Sequence, residues 1–413
     1  MEKLLTVLIQ TSPLPSHPST ALLEALFRSF DRVEGLKEAN IIILADGCEC
    51  ECEKETSYRN DDSIHKHHDN ATSDGKKTNF KHGSAPLETR IKYKEHLQLL
   101  QEKINNKEPP FKPHKNGSIQ LLQLPNRHGS ARAIKSAIEI QSVISTPYIL
   151  IGQHDNFFVR DVSYLRSLLN YMEDNSTKSW LQCVHFPSTA TLNYVEKVKR
   201  RYDLDISKYC VGSDEGNFIP LVFWYGRTHL ARTSYYTKFI LKQCPNLQIS
   251  DHLEELFGTV QLNELQKLKA HRDTADFEDE FRRVHQKYGN YVFFDTCTRE
   301  DQTEVLYHMS GRKVRAATES SIEEQDNTLQ TNADTNQRKN TNFSPHENSF
   351  TTARRSIASV PGLEFVPTTK KSGSKKFKQK CFHCGLKGHS FKFCPTLQEE
   401  EDSCVPSVDV LQI

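Results

Sequence analysis

Apolar residues arrive along the chain in two alternating rhythms. Short unbroken runs, LLTVLIQTSP from Leu4, NIIILADG from Asn40, SIQLLQLP from Ser118 and PYILIGQHDN from Pro147, have the length of strands. Their continuity, in NIIILADG above all, predicts strands covered on both faces. Between them apolar positions recur at helical spacing: STALLEALFRSF from Ser19, RIKYKEHLQLLQEKINN from Arg90, GSARAIKSAIEIQSVI from Gly129 and VSYLRSLLNYME from Val162. Ser19 or Thr20 is placed to cap the first of these helices. Repeated strand–helix units of this size predict an α/β fold, a mostly parallel sheet with helices on both faces. From LQCVHFPS at Leu181 the pattern loosens. NYVEKVKRRYDL reads as a helix, FIPLVFWYGRTHLAR as a strand pair or strand-turn, SDHLEELFGTVQLNELQKLKA as one or two helices, and YGNYVFFDT as a strand.

Three tracts break this rhythm. Residues 47–86 hold almost no large aliphatic side chain, residues 316–375 are rich in Thr, Asn, Gln, Ser and Glu with a basic end, and residues 398–413 form a polar tail. Too little apolar area is available there to offset the entropy of ordering the chain. The expected organisation is an α/β domain over 1–46 and 87–315, a disordered insertion over 47–86, a disordered linker over 316–375, a small module over 376–397 and the tail. Hydrophobic residues are 36% of the 413 and charged residues 26%, which suits a folded core diluted by such tracts.

The net charge of +1 means that any affinity for nucleic acid must come from a local patch. No run approaches the ~20 apolar residues of a membrane span, and the apolar run at the N-terminus is too short for a signal peptide. With eleven scattered cysteines, the expected setting is reducing, cytoplasmic or nuclear.

One group of cysteines is ordered in sequence. In CFHCGLKGHSFKFC, Cys381, Cys384, His389 and Cys394 have the spacing C-x2-C-x4-H-x4-C. Three thiolates and one imidazole are the donor set of a closed tetrahedral zinc site. Gly385 and Gly388 permit the tight turns around it. So short a segment has no core of its own, so the metal supplies the folding energy, about 10–16 kcal/mol for small zinc peptides. The segment resembles the CCHC zinc knuckle of retroviral nucleocapsid proteins and RNA-binding factors. The resemblance implies an aromatic platform for an unpaired base, here Phe382 with Phe391 or Phe393. Lys387 and Lys392 lie within the loop, and no acidic residue occurs from Phe365 to Gln398, which suits contacts to a single strand of RNA or DNA. A zinc clip that binds another protein is the other reading; protein partners are not legible.

In the larger domain, the strands ending in LADG and IGQHDNFF carry Asp46 and Asp155 to the carboxyl edge of a parallel sheet, where open α/β folds bind ligands. The order of VLIQTSP, ILADG, NRHGSARAIKSAIE and TPYILIGQHDNFF resembles the start of a GT-A glycosyltransferase, the nucleotide-sugar domain of the family-2-like enzymes. The resemblance implies that Asp46 faces the base or ribose of the donor. It makes Asp155 the last carboxylate of a D-x-D motif holding Mn²⁺ or Mg²⁺ on the diphosphate. Gln153 stands where that motif has its first Asp, so one negative charge is missing.

A general base for an acceptor hydroxyl is matched by Asp251, with Glu254 and Glu255 as neighbours. His308 in VLYHMSGRK matches a late metal or phosphate ligand, with Arg312 and Lys313 available to phosphate. Plainer roles stand beside these: a turn at Asp46-Gly47, helix caps at Asp155 and Asp251, a surface histidine at 308. His65 to Asp69 with Cys48, Cys50 and Cys52 have no ligand spacing and read as part of a solvated insertion. Two functions are therefore expected in order: zinc-dependent binding of single-stranded nucleic acid through the knuckle, and, as the alternative, metal-dependent glycosyl transfer.

Overall fold

The computed structural model describes residues 1–48, 85–114, 116–139, 143–268, 276–296, 304–309, 311, 314–316, 363–365, 377–380 and 387–388. The chain divides into two compact units, residues 1–366 and 367–413.

In the first unit the apolar runs are strands: β1 (Leu5–Thr11), β2 (Asn40–Ala45), β3 (Ser118–Gln123) and β4 (Tyr148–Gln153). They lie in the order β3-β2-β1-β4, all parallel. Next in the chain come β5 (Asn156–Phe158), β6 (Cys183–His185), β7 (Val211–Ser213), β8 (Gly216–Pro220), β9 (His229–Arg232), β10 (Asn290–Asp295) and β11 (Leu306–His308). The nine-stranded sheet continues from β4 as β9-β6-β10-β8-β7. β9 is antiparallel to β4 and β6, and β8 to β10 and β7, so these two strands run against the other seven.

Helices cover both faces. They are α1 (Ala21–Ser29), α2 (Leu87–Asn105), α3 (Ser130–Glu139), α4 (Leu165–Glu173), α5 (Tyr194–Tyr202), α6 (Leu253–Lys267) and α7 (Phe277–Tyr288). Side chains alternate along a strand, and the core divides accordingly. Leu5, Val7, Ile9, Ile41, Ile43 and Leu150 pack with α1, α2 and α4. Leu8, Ile42, Leu44, Ile149 and Ile151 pack with α3, α5, α6 and α7. Each such side chain contributes about 1.5–3 kcal/mol by leaving water, which is why the runs of the central strands are apolar throughout.

Several expectations are refined. Thr20 is the N-cap residue of α1, but its hydroxyl donates to Glu24 at 2.7 Å and makes no bond to the backbone, while Ser19 Oγ accepts the Ala21 N–H at 3.2 Å. FIPLVFWYGRTHLAR does hold two strands, but β8 and β9 do not pair with each other. Residues 221–228 between them are too long for a tight hairpin turn, and they carry Trp224 and Gly226 to the carboxyl edge of the sheet. The sequence reading assigned no element to α7, whose charged residues obscure a buried stripe of Phe281, Val284 and Tyr288. Within the tract expected to lack structure, β13 (Leu363–Phe365) pairs antiparallel with β12 (Val314–Ala316).

In the second unit β14 (Phe377–Lys380) pairs antiparallel with β15 (Lys387–Gly388). Among the described residues, no helix is long and apolar enough to cross a membrane.

Candidate active site at the carboxyl edge

In the order β3-β2-β1-β4 the chain leaves β1 toward one side and returns to its other side at β4. At such a reversal a crevice opens beyond the carboxyl ends of the two strands, and ligands of open α/β sheets bind there. Gln10 ties this crevice together. Its side-chain nitrogen donates to the Ser130 carbonyl at 2.8 Å and its side-chain oxygen accepts the Ser130 hydroxyl at 2.9 Å. Its backbone carbonyl accepts the His154 N–H at 3.0 Å and lies 3.1 Å from His154 Nδ1. The ends of β1 and β4 and the start of α3 are thereby one unit.

Asp155 and His308, far apart in sequence, meet here. β11 pairs with β5 so that His308 faces Asn156, and His308 Nε2 lies 3.2 Å from Asp155 Oδ2. The same oxygen accepts the Gly311 N–H at 2.8 Å, and the Asp155 carbonyl accepts the Met309 N–H at 3.0 Å. Burial alone would raise the Asp155 pKa. The hydrogen bond from His308, the charges of His154 and His308 and the Gly311 N–H outweigh it, holding the carboxyl well below its usual range.

Asp46 is engaged differently. Oδ1 accepts the N–H groups of Gly47 at 3.0 Å and His128 at 2.7 Å, and Oδ2 that of Gly129 at 2.9 Å. Its carboxylate thus holds the turn before α3 against the end of β2. Gly129 has φ +73°, and a Cβ there would lie 1.8 Å from the Ile249 carbonyl oxygen. Only glycine lets these backbones meet.

Beside the crevice is a cleft of 230 Å³, with Gln10, Ser130, Gln153, Trp224, Gly226 and Glu254 in its wall. Glu254 Oε2 accepts the Gly226 N–H at 2.9 Å, and Gln153 Nε2 reaches the Gly226 carbonyl at 3.5 Å. Glu255 also lines the cleft, and Asp251 is not among its residues. Asp251 Oδ2 accepts the Gln248 N–H at 2.6 Å while its own N–H donates to the Gln248 carbonyl at 3.1 Å, closing a turn before α6. The N-cap residue of α6 is His252. Helical phase separates the two acids. Glu254 shares a stripe with the buried Gly258, Gln261 and Leu265, whereas Asp251 precedes the helix.

Sequence reasoning missed Gln10, Ser130, Trp224, Gly226 and Arg227. The Arg227 guanidinium is half-buried, 3.5 Å from Asn156 Oδ1. Beneath the cleft, His229 Nδ1 lies 2.6 Å from the Arg227 carbonyl and Nε2 lies 2.6 Å from the Tyr236 hydroxyl. Burial lowers the His229 pKa to about 4, so a neutral ring holds the 226–227 backbone in place. Nothing in the one-dimensional pattern marks Trp224, Gly226 and Arg227, because the loop that carries them is neither periodic nor motif-like.

A divalent ion on a diphosphate needs several hard oxygen donors. Among the described residues no group of three or more His, Cys, Asp or Glu is placed to hold a metal. Asp155 Oδ2 is already engaged by His308 Nε2 and the Gly311 N–H. Cys381, Cys384, His389 and Cys394, with Phe382, Phe391 and Lys392, lie outside the described residues, as do Arg312, Lys313 and residues 65–69. For Lys387 only the backbone strand is described.

No family model matches the chain, and no curated protein matches it in sequence. Solved structures match in fold at low overlap. Galactosyltransferase LgtC, in complex with donor and acceptor sugar analogs, is 8% identical, with 84% of this chain and 99% of that one covered and a TM-score of 0.31. Glycosyltransferase GlyE of Streptococcus pneumoniae TIGR4 is 10% identical over 92% and 68%, with a TM-score of 0.29. TarS of S. aureus is 10% identical over 64% of this chain, which spans only 34% of that one, with a TM-score of 0.31. Likenesses this slight carry no argument about donor, acceptor or chemistry.

Proposed function

We propose that the first unit binds a nucleotide-sugar at the carboxyl edge and transfers its sugar to an acceptor hydroxyl, with Glu254 as the base. The observation that carries this reading is the juxtaposition, on one cleft at the strand-order reversal, of a half-buried carboxylate with the Gln10–Ser130 and Gln153–Gly226 amide contacts. In the reaction the acceptor oxygen forms a bond to the anomeric carbon, the bond from that carbon to the diphosphate breaks, and the nucleoside diphosphate leaves with the electron pair. Glu254 takes the hydroxyl proton. The Gly226 N–H on Oε2 fixes the carboxylate, and Oε1 is the oxygen left to receive the proton. Gln10, Ser130 and Asp46 set the backbone around the donor. Mn²⁺ or Mg²⁺ on the diphosphate would compete with His308 for Asp155.

The test is thermal stabilisation by UDP- and GDP-sugars, with and without Mn²⁺, followed by turnover with the donor that binds. Glu254→Gln should keep donor binding and lose turnover by at least about a hundredfold. Undiminished turnover in that variant, or no donor-dependent stabilisation of the intact chain, overturns the reading.

A second reading applies to the second unit. β14 ends at Lys380, next to Cys381, and β15 ends at Gly388, next to His389; the register pairs Lys380 with Lys387. In sequence the two strands flank the first two cysteines and stop one residue short of the histidine, a spacing that suits one zinc ion on Cys381, Cys384, His389 and Cys394. Lys387, Lys392, Phe382 and Phe391 would then meet a single strand of nucleic acid. Zinc stoichiometry should fall by one ion per chain in Cys384→Ser, and oligonucleotide affinity should weaken steeply between two salt concentrations. An unchanged metal content removes this reading.

A further inference from the structure

A second cavity lies at the opposite edge of the sheet. Its walls come from Trp180, the turn at Tyr209–Val211, residues 281–286 of α7, and Tyr291 at the start of β10. β10 is parallel to β6, and β9 reverses direction once between β6 and β4, so β10 points the same way as β4. Tyr291, second in its strand, is therefore at the amino edge, away from Asp155 and Glu254.

The cavity combines rings with cations. Tyr209 stacks on Phe281 at 4.2 Å between centroids and 25° between planes. Lys208 and Arg282 approach the Tyr209 ring at 5.6 and 5.8 Å. Trp180 is half-buried and meets Tyr291 and Phe218 at interplanar angles of 74° and 83°, so neither ring stacks on its face. Lys208 is paired with Glu278, while Arg282 is exposed with no acidic partner among the described residues. Among the described residues the buried Tyr209 hydroxyl has no hydrogen-bond partner, a state that costs free energy until an acceptor or donor arrives. His285 at the base is neutral, its pKa lowered to about 4 by burial. A volume of 190 Å³ is below the ~300–1,000 Å³ of pockets for drug-sized ligands and suits a single planar ring system.

We propose that this amino-edge cavity binds a nucleotide, its base stacked on Trp180 and its phosphate met by Arg282 and Lys208. A planar group stacks on an indole that carries no parallel ring, and a phosphate satisfies a guanidinium without an acidic partner among the described residues. An uncharged aromatic ligand would leave Arg282 unused. The nucleotide is either free or the exposed residue of a single strand. The site is independent of the carboxyl-edge reading and of the zinc segment.

The chain has two tryptophans, Trp180 and the fully buried Trp224. The test titrates the full chain with adenosine and uridine monophosphates, and separately with short single-stranded RNA, while following tryptophan fluorescence. The expected result is quenching that vanishes in Trp180→Phe, weakens at least tenfold in Arg282→Glu, and persists unchanged in Glu254→Gln and Cys384→Ser. Quenching by monophosphates and RNA alike identifies a free-nucleotide site; quenching by RNA alone identifies a single-strand site. No quenching by either, or quenching that survives Trp180→Phe, overturns the proposal. That last outcome would assign the signal to Trp224 in the carboxyl-edge cleft.

Discussion

The half of the sheet from β3 to β4 and the half from β9 to β7 are built by different means. The first is parallel, its central strands sealed between helices, and its side chains are aliphatic: Val7, Leu8, Ile41, Ile42 and Ile43 are at most 1% exposed. The second alternates direction, ends in the edge strand β7 with Val211 37% exposed, and is knitted by aromatic edges, Phe218 against Trp180, Tyr291 and Phe293. The difference teaches where chemistry collects. The first half supplies the carboxyl end of β1 and the positions just beyond β2 and β4, which hold Gln10, Asp46 and Asp155. The second supplies the irregular loop of Gly226 and Arg227 and the first turn of α6, which brings Glu254 to face them. The cleft exists only where the two meet.

The largest expected effect comes from prying that seam apart. Gly129→Ala would drive a methyl into the Ile249 carbonyl at a positive φ, costing about 3–5 kcal/mol of unfolding free energy in a urea titration. A loss below about 1 kcal/mol would mean that the halves are not pressed together there. Cavity formation should separate the halves next. Ile42→Ala, in the sealed strand β2, should cost about 2–4 kcal/mol, and Val211→Ala on the exposed edge less than about 0.5 kcal/mol. Equal losses would contradict the contrast between a sealed and an open half.

A pH dependence is shared by both halves. Burial lowers the pKa of His96, of His229 and of His285 to about 4, from an ordinary 6.5. The unfolded chain takes up protons there that the folded chain refuses. Stability should therefore be complete above pH 6.5 and decline as the pH falls from 6.5 toward 4. Asp155 acts in the same direction lower down. Its carboxyl is held below its ordinary 3.8, so its contribution is present above that value and fails with further acidification. A thermal midpoint that is flat between pH 7 and 5 would show that these histidines are open to water.

The contrast also explains what could be read from sequence. Strands β1 to β4 were legible because burial on both faces forces unbroken apolar runs, and α1 to α4 because one face repeats every three to four residues. The partners of β8 and β9 were not, because β9 enters the sheet between β4 and β6 and no local signal encodes that choice. Asp155 was legible as a strand-end carboxylate. Its meeting with His308 depends on the short β5–β11 ladder, far apart in the chain. On position alone Asp251 was the better match for a base, with Glu254 as its alternative. Only the phase of α6 against Gly258, Gln261 and Leu265 distinguishes them, and that phase is present in the sequence once Leu253 is taken as the first helical residue.

The strand order carries one more consequence. Cut the polypeptide at the short turn between Ser213 and Gly216, and the upstream fragment retains β4, β6 and β7 while the downstream one retains β8, β9 and β10. In the sheet these six interleave as β4-β9-β6-β10-β8-β7. Upstream, β6 and β7 would lose every partner, and downstream β9 would lose both of its own while β8 keeps β10, yet together each piece would fill the vacancies of the other like two combs pushed tooth to tooth. A split version should therefore be inert as separate fragments and regain its shape on mixing.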